Sequence, residues 1–153
     1  MLRETALIIA ANLVPTVEQF GAIPLGIALG VNPIFVLLIS VITNSLLFFP
    51  VYFALELFYE RLFSKIKAFK RYVEKARKKA EPHIAKYGPF GLILLTLLPG
   101  PFTGTYTASI VAWFFGLDTR KSFIAIAIGS LIGGIIVLLT SLGLFSISRL
   151  IFI

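Results

Sequence analysis

The sequence predicts an all-α integral membrane protein. We expect an inverted repeat, each half a re-entrant helical hairpin followed by a transmembrane helix, with a basic cytoplasmic amphipathic helix joining the halves. Three observations predict this fold class. The 153 residues are 58% hydrophobic and only 14% charged, whereas soluble domains have about 45–50% apolar and about 25% charged residues. Uncharged stretches cover residues 19–55, 87–117 and 122–148, and most basic residues lie between 61 and 86.

The lengths of the uncharged stretches predict the hairpins. A hydrocarbon core about 30 Å thick needs roughly 20 helical residues, so the first two stretches are too long for one crossing and too short for two. Each contains Gly and Pro that interrupt a helix, at 21–33 and at 97–105. We therefore expect re-entrant hairpins at about 5–31 and 87–117 and transmembrane helices at about 33–55 and 119–148. Irregular backbone at such depth must lie inside the protein or face water.

The two halves, 1–58 and 87–153, share a local pattern within one membrane domain. GVNP at 30–33 and GLDT at 116–119 lie 86 positions apart and precede the two transmembrane helices. Asn32 and Asp118 are good N-caps, and Pro33 suits the first helical position. If the basic segment is cytoplasmic, as the positive-inside rule requires, the halves have opposite orientations and both hairpin tips meet near the midplane.

The connector at 59–86 carries one apolar stripe on an otherwise basic helix. We expect a kink at Pro50 and the end of this helix at Pro82. The connector binds anionic lipid, contacts a partner, or packs on its own domain. The stripe consists of Leu62, Ile66, Phe69, Val73, Ala76 and Ala80.

Glu18 is the strongest candidate for a functional side chain, because no other charge occurs between Glu4 and Glu56. An acidic side chain within a membrane domain is costly and by default marks a substrate or proton pathway. We expect Glu18 to carry a proton in exchange for a substrate. The alternative is a carboxylate at the membrane surface that never enters the bilayer.

The hairpin tips supply the next candidates. The second tip places backbone N–H groups and hydroxyls at the start of a half-length helix, which attracts anions. It predicts a site for a phosphate or an anionic headgroup; alternatively, Gly and Pro serve only to turn the chain. The tip residues in question are Gly21, Pro24, Pro99, Gly100, Pro101, Thr103, Gly104 and Thr105.

Further candidates lie in the two spans. Asn44 must face protein, because lipid cannot satisfy its amide; it joins helices or contacts substrate. Arg120 gathers an anionic substrate or anchors the topology. The small-residue row Ala125, Gly129 and Gly133 suits close packing within the monomer or in a homodimer. We expect the single tryptophan, Trp113, in an interfacial belt.

Several function classes are excluded by composition. The chain has no Cys and one His, His83, so thiol catalysis, disulfides and zinc clusters are not expected. It contains no H-E-x-x-H or G-x-S-x-G motif. We expect no enzyme, no cofactor and no metal site. The basic residues are placed as membrane topology predicts, so we expect no nucleic-acid partner.

Two motifs resemble a known family. E-x-x-GAIPLGIALG at 18–30, together with KYGPFGLILLTLLPGPFTGT at 86–105 and its continuation to 129, resembles the small multidrug export family, which is distantly similar to DedA or VTT-domain membrane proteins. The resemblance implies a re-entrant membrane transporter with the family's acidic position at Glu18. The distant similarity to DedA-like proteins implies lipids or lipid carriers as substrates. Many relatives have Arg directly before GAIP, where this chain has Phe20.

The leading hypothesis is a multi-pass plasma-membrane exporter of an amphiphilic or anionic solute, with a midplane site between the tips and proton coupling through Glu18. A lipid flippase or scramblase of the same architecture is the variant. A non-transporting scaffold, whose basic helix recruits lipid or protein, is the alternative of another class. The expected partners are membrane lipids, the solute and protons.

Overall fold

Seven α-helices make up most of the chain in the computed structural model, which describes residues 2–63, 66–98 and 103–151. No strand occurs within these ranges. A π-helical turn, Tyr59–Phe63, follows α4. The helices are α1 (Leu2–Leu13), α2 (Glu18–Ala28), α3 (Pro33–Leu46), α4 (Phe48–Phe58), α5 (Lys67–Leu97), α6 (Thr105–Phe114) and α7 (Thr119–Ile151).

The distribution of side chains is that of a membrane protein. Two helical stretches, Pro33–Arg61 and Thr119–Leu144, are long and apolar enough to cross a bilayer. Their exposed side chains are mostly apolar, as at Ile34, Leu38 and Phe53. Polar side chains lie inside instead, the reverse of a soluble protein. The fully buried polar side chains include Asn12, Gln19, Ser40, Asn44, Thr96, Thr105, Ser109 and Ser130.

The first helix interruption differs from the prediction. It lies at residues 14–17, between α1 and α2, whereas Gly21 and Pro24 lie inside α2. Pro15 disfavours helical backbone at the residue before it, and Thr16 has a φ of 74°. Pro24 removes one backbone hydrogen bond, but ending the helix there would leave several backbone groups unpaired in apolar surroundings. The helix therefore continues past Pro24.

Proline positions explain two further features. The helix predicted to end at Pro82 continues as α5 to Leu97, so the basic connector and the next apolar segment are one helix; a proline can bend a helix without ending it. Near Pro50, where a kink is expected, the helix is interrupted at Leu47, between the end of α3 and the start of α4. The ring of a proline crowds the carbonyl groups one turn earlier, which accounts for the interruption there.

Two turns have the same geometry at a spacing of 86 residues. After α2, the N–H of Gly30 donates to the carbonyl of Ile27 at 3.0 Å, and after α6 the N–H of Gly116 donates to that of Trp113 at 3.0 Å. The N-caps that follow are confirmed: the Asn32 side chain accepts from two N–H groups of α3, and Asp118 accepts from the N–H of Lys121 at 2.8 Å.

The small-residue row of α7 packs against α5 within the chain. A methyl group added at Gly129 would lie 2.7 Å from the carbonyl oxygen of Ile93, and one at Gly133 would lie 3.0 Å from Leu97. Ala125 belongs to the same buried cluster as Leu92. Close backbone contact between α5 and α7 thus uses the row inside the monomer.

Candidate functional site

Glu18 is buried and contacts the start of α6. It follows the turn between α1 and α2, has a φ of 43° and is 2% exposed. Its Oε2 accepts a hydrogen bond from the backbone N–H of Thr105 at 2.8 Å. The backbone N–H of Tyr106 and the Asn44 side chain also interact with the carboxylate. A negative charge at a helix N-terminus is favourable, so this carboxylate takes the place that the sequence predicted for a bound anion.

Gly104 makes room for the carboxylate. Its φ is +98°, a region that L side chains rarely adopt. A Cβ at this position would lie 2.6 Å from both carboxylate oxygens of Glu18. Position 104 lies 86 residues after Glu18, the same spacing as between the two turns.

Asn44 joins two helices next to this carboxylate. It is fully buried, and its Nδ2 donates to the Oγ of Ser130 on α7 at 3.3 Å. Its Oδ1 has no hydrogen-bond partner in the described residues. Asn44 and Ser130 are again 86 positions apart. The helix-joining role predicted for Asn44 is thus observed, and the same side chain is within reach of Glu18.

Gln19 is a site residue that sequence reasoning missed. It is fully buried, and neither amide atom has a partner in the part of the chain that the structure describes. The amide lies beside α7, since a methyl group at Gly133 would be 3.1 Å from its Nε2. A polar residue directly after Glu18, within 37 uncharged residues, was the available signal. Thr105 likewise has a buried Oγ1 without a partner in the described residues.

No contact with the Glu18 carboxylate is observed for the other predicted residues that the structure describes. Thr103 is half-buried just before α6, and Arg120 is exposed in the first turn of α7. Gly21 and Pro24 are part of α2. The predictions for Pro99, Gly100 and Pro101 lie outside the described residues. The structure thus brings together Glu18, Asn44, Gly104 and Thr105, and leaves Arg120 at the surface.

A second polar cluster holds the other end of α6. Arg77 on α5 donates from Nε to the carbonyl of Phe114 and from Nη2 to that of Trp113, both at 2.9 Å. The Trp113 indole donates to Glu56 Oε2 at 2.6 Å. Trp113 is only 7% exposed, so its ring packs inside the protein. Its ring packs against α4 because Glu56 satisfies its N–H.

This cluster also defines what the basic connector does. Val73 of the predicted apolar stripe is buried, and Arg77 reaches the last carbonyls of α6, where a cation is favourable. In its described part the connector thus packs on its own domain through Val73 and Arg77, one of the three alternatives, whereas Ile66 of the predicted stripe is exposed. The two ends of α6 are thus held by opposite charges, Glu18 and Arg77, that match the helix dipole.

Comparison with known proteins supports the predicted resemblance. The sequence model of the family described as "Putative small multi-drug export protein" matches residues 18–136. The match begins at Glu18 and includes Asn44, Gly104, Thr105 and Ser130. No curated protein and no solved structure matches the chain.

Proposed function

From the premise that this chain belongs to the small multidrug export family, we propose that it exports a small amphiphilic solute across the plasma membrane, coupled to protons through Glu18. The family supports a membrane exporter. The substrate and the coupling follow from the site. An anionic solute fits this arrangement less well, because the N-terminus of α6 already accepts the carboxylate of Glu18.

The single observation that carries the proposal is a buried carboxylate for which the described residues supply no compensating cation. In the described part of the chain, the groups that interact with Glu18 are N–H donors and one amide, and none is a Lys, Arg or His side chain. An unpaired charge in apolar surroundings costs several kcal/mol. Binding a proton removes the charge, and releasing it restores the charge. Glu18 is therefore suited to alternate between the two states.

We also propose that the two halves are re-entrant hairpins entering from opposite faces. The recurrence of turns and caps at 86 residues supports a common origin of their geometry. Helices α1, α2 and α6 have 12, 11 and 10 residues, about half of a membrane crossing. Glu18 and Thr105, which bond to each other, each follow an interruption between helices. Opposed hairpin tips would produce such a contact.

Proteoliposomes containing the full chain test the function. Ethidium, an amphiphilic cation, and anilinonaphthalene sulfonate, an amphiphilic anion, serve as probes, with a pH-sensitive dye inside the vesicles. We expect probe-dependent proton flux with the wild type and with Glu74→Gln, a control that removes an exposed carboxylate from α5. We expect none with Glu18→Gln at unchanged helical content. Normal flux in Glu18→Gln would refute the proposal.

The same vesicles test the alternatives. Flipping of a fluorescent phospholipid without solute flux would identify the lipid-translocating variant. If neither a solute nor a lipid moves, the scaffold hypothesis replaces transport, and the exposed basic residues of α5 become its recruiting surface. These residues include Lys70, Arg71, Lys75 and Lys78.

Labelling with a membrane-impermeant maleimide tests the topology, since the natural chain has no Cys. The positions Leu2, Leu29 and Arg120 are exposed. The proposal predicts that Cys at positions 2 and 29 is labelled from the outside and Cys at position 120 from the cytoplasm. Labelling of positions 2 and 29 from opposite sides would contradict a re-entrant first hairpin.

A further inference from the structure

We infer that the interior site around Glu18 binds a monovalent cation in exchange for the proton. This inference rests on the proposed function and names the class of ligand. The cation is either an alkali ion or the ammonium group of an organic solute, since both present the same charge to a carboxylate. The oxygens of Glu18, Thr105, Asn44 and Gln19 would surround it.

Charge is the first argument. Glu18 is 2% exposed, and no basic side chain of the described residues interacts with it. A single carboxylate neutralises one positive charge, whereas sites for divalent cations generally gather more than one acidic ligand. An ionised Glu18 therefore lacks one positive charge, and a monovalent cation supplies it.

Unpartnered oxygens are the second argument. Asn44 Oδ1, Thr105 Oγ1 and Gln19 Oε1 belong to fully buried residues and have no hydrogen-bond partner in the described parts of the chain. Buried polar atoms are almost always paired with protein or with bound water. Leaving such buried oxygens unpaired is costly. Neutral oxygens of this kind bind hard cations directly or accept hydrogen bonds from the water molecules around the cation.

The position of these atoms is the third argument. Asn44 bonds Ser130, and Glu18 approaches Gly104; both pairs are separated by 86 residues. Contact between equivalent positions is expected where an axis relates two halves. Gln19 lies beside Gly133, one turn of α7 beyond Ser130. Glu18 and Gln19 lie on α2, Asn44 on α3 and Thr105 on α6, and the Asn44 and Gln19 side chains approach α7 one turn apart.

The exchange balances in charge. The protonated carboxylic acid of Glu18 releases one proton as the carboxylate accepts one cation, so the site keeps its net charge. One proton for one monovalent cation makes the exchange electroneutral. No bond other than the O–H bond of the acid breaks.

Thermal unfolding of the purified full chain in detergent tests the cation site without any transport. Trp113, the single tryptophan, reports unfolding by fluorescence. NaCl, KCl and methylammonium chloride are compared at equal concentrations. We expect at least one salt to raise Tm saturably, by roughly 3–10 °C, in the wild type and in Glu74→Gln, and to leave the Tm of Glu18→Gln unchanged.

The pattern of the salts identifies the source of the cation. A larger effect of NaCl or KCl indicates an inorganic ion, and a larger effect of methylammonium indicates an organic head group. An equal rise in Glu18→Gln would overturn the inference, because it would show a general salt effect. The absence of any rise in the wild type would overturn it as well.

A second variant keeps the test decisive if Glu18→Gln does not fold. Thr105→Val removes the unpartnered hydroxyl and retains the N–H that binds Glu18. We expect the concentration of cation needed for half of the Tm rise to increase about tenfold, the loss of one ligand interaction of about 1.4 kcal/mol. Thr140→Val, at an exposed position of α7, is the matched control and should leave the concentration for half of the Tm rise unchanged. An unchanged value in Thr105→Val would overturn the inference.

The inference and the proposed function fail separately. Proton-coupled flux without a cation-dependent rise in Tm would refute the cation site and support the transport function. A cation-dependent rise in Tm without flux of any probe would support the cation site and refute the transport function.

Discussion

The contact between α5 and α7 allows a prediction with a matched control inside one helix. At Gly129 an added methyl group would lie 2.7 Å from the carbonyl oxygen of Ile93 and 2.8 Å from Cβ of Thr96. At Gly143, in the same helix, nothing lies within 4 Å. The substitutions Gly129→Ala and Gly143→Ala therefore add the same group in two different surroundings.

The expected magnitude follows from these distances. Ordinary contact begins at 3.4 Å, so α5 and α7 must separate by about 0.7 Å at Gly129, and the obstacle is rigid backbone. Overpacking of this kind costs about 1–3 kcal/mol. Replacing Gly by Ala within a helix contributes about 1 kcal/mol of stability at either position. We expect Gly143→Ala to be neutral or stabilising and Gly129→Ala to be less stable than Gly143→Ala by about 1–3 kcal/mol.

Unfolding in mixed micelles of increasing SDS content, followed by far-UV circular dichroism, measures this difference. The helix-propensity contribution cancels between the two variants, so their difference in unfolding free energy reports the packing at Gly129 alone. Equal unfolding free energies would refute the reasoning. They would mean that α5 and α7 adjust without cost or are not in backbone contact.

Three further predictions concern α6. Gly104→Ala should lower stability by about 1–3 kcal/mol and abolish proton-coupled flux as Glu18→Gln does, because the new Cβ meets the carboxylate; wild-type flux would contradict this. Arg77→Met should lower the unfolding free energy by about 1–3 kcal/mol and shift the emission of Trp113, since two hydrogen bonds to the end of α6 are lost; unchanged emission and stability would show that this contact is not needed. Tyr106→Phe removes a 2.6 Å hydrogen bond to the last carbonyl of α1 and should cost about 0.5–1.5 kcal/mol by SDS titration while flux persists; a loss of flux at unchanged stability would assign Tyr106 to the pathway instead.

Several features were predictable because they depend on local chemistry. Composition and uncharged stretches predicted a helical membrane protein, and two apolar spans are present. Asn32 and Asp118 were predicted as caps from residue type and position, and both are caps. The motif beginning at Glu18 predicted the family. The isolated amide of Asn44 was predicted to face protein because lipid cannot satisfy it, and the isolated acid Glu18 was the leading candidate for a functional side chain.

Proline was the least reliable local signal. Pro24 and Pro82 were expected to interrupt or end helices, and both lie within helices. A proline in the interior of a helix destabilises that helix by about 3 kcal/mol. Unpaired backbone groups at a helix end in apolar surroundings cost more, so the environment decides whether the helix continues.

The sequence by itself determined that the chain is largely helical and apolar, where the caps lie, and that Asn44 cannot face lipid. Only the tertiary structure decided which groups these residues contact. Glu18 accepts a hydrogen bond from the N–H of Thr105 and lies against Gly104, and Asn44 donates to Ser130. The physical reason is that caps and periodicity involve residues within one turn, whereas each of these contacts joins residues 86 or 87 positions apart. Such pairs depend on how helices pack, and no single segment of the chain contains that information.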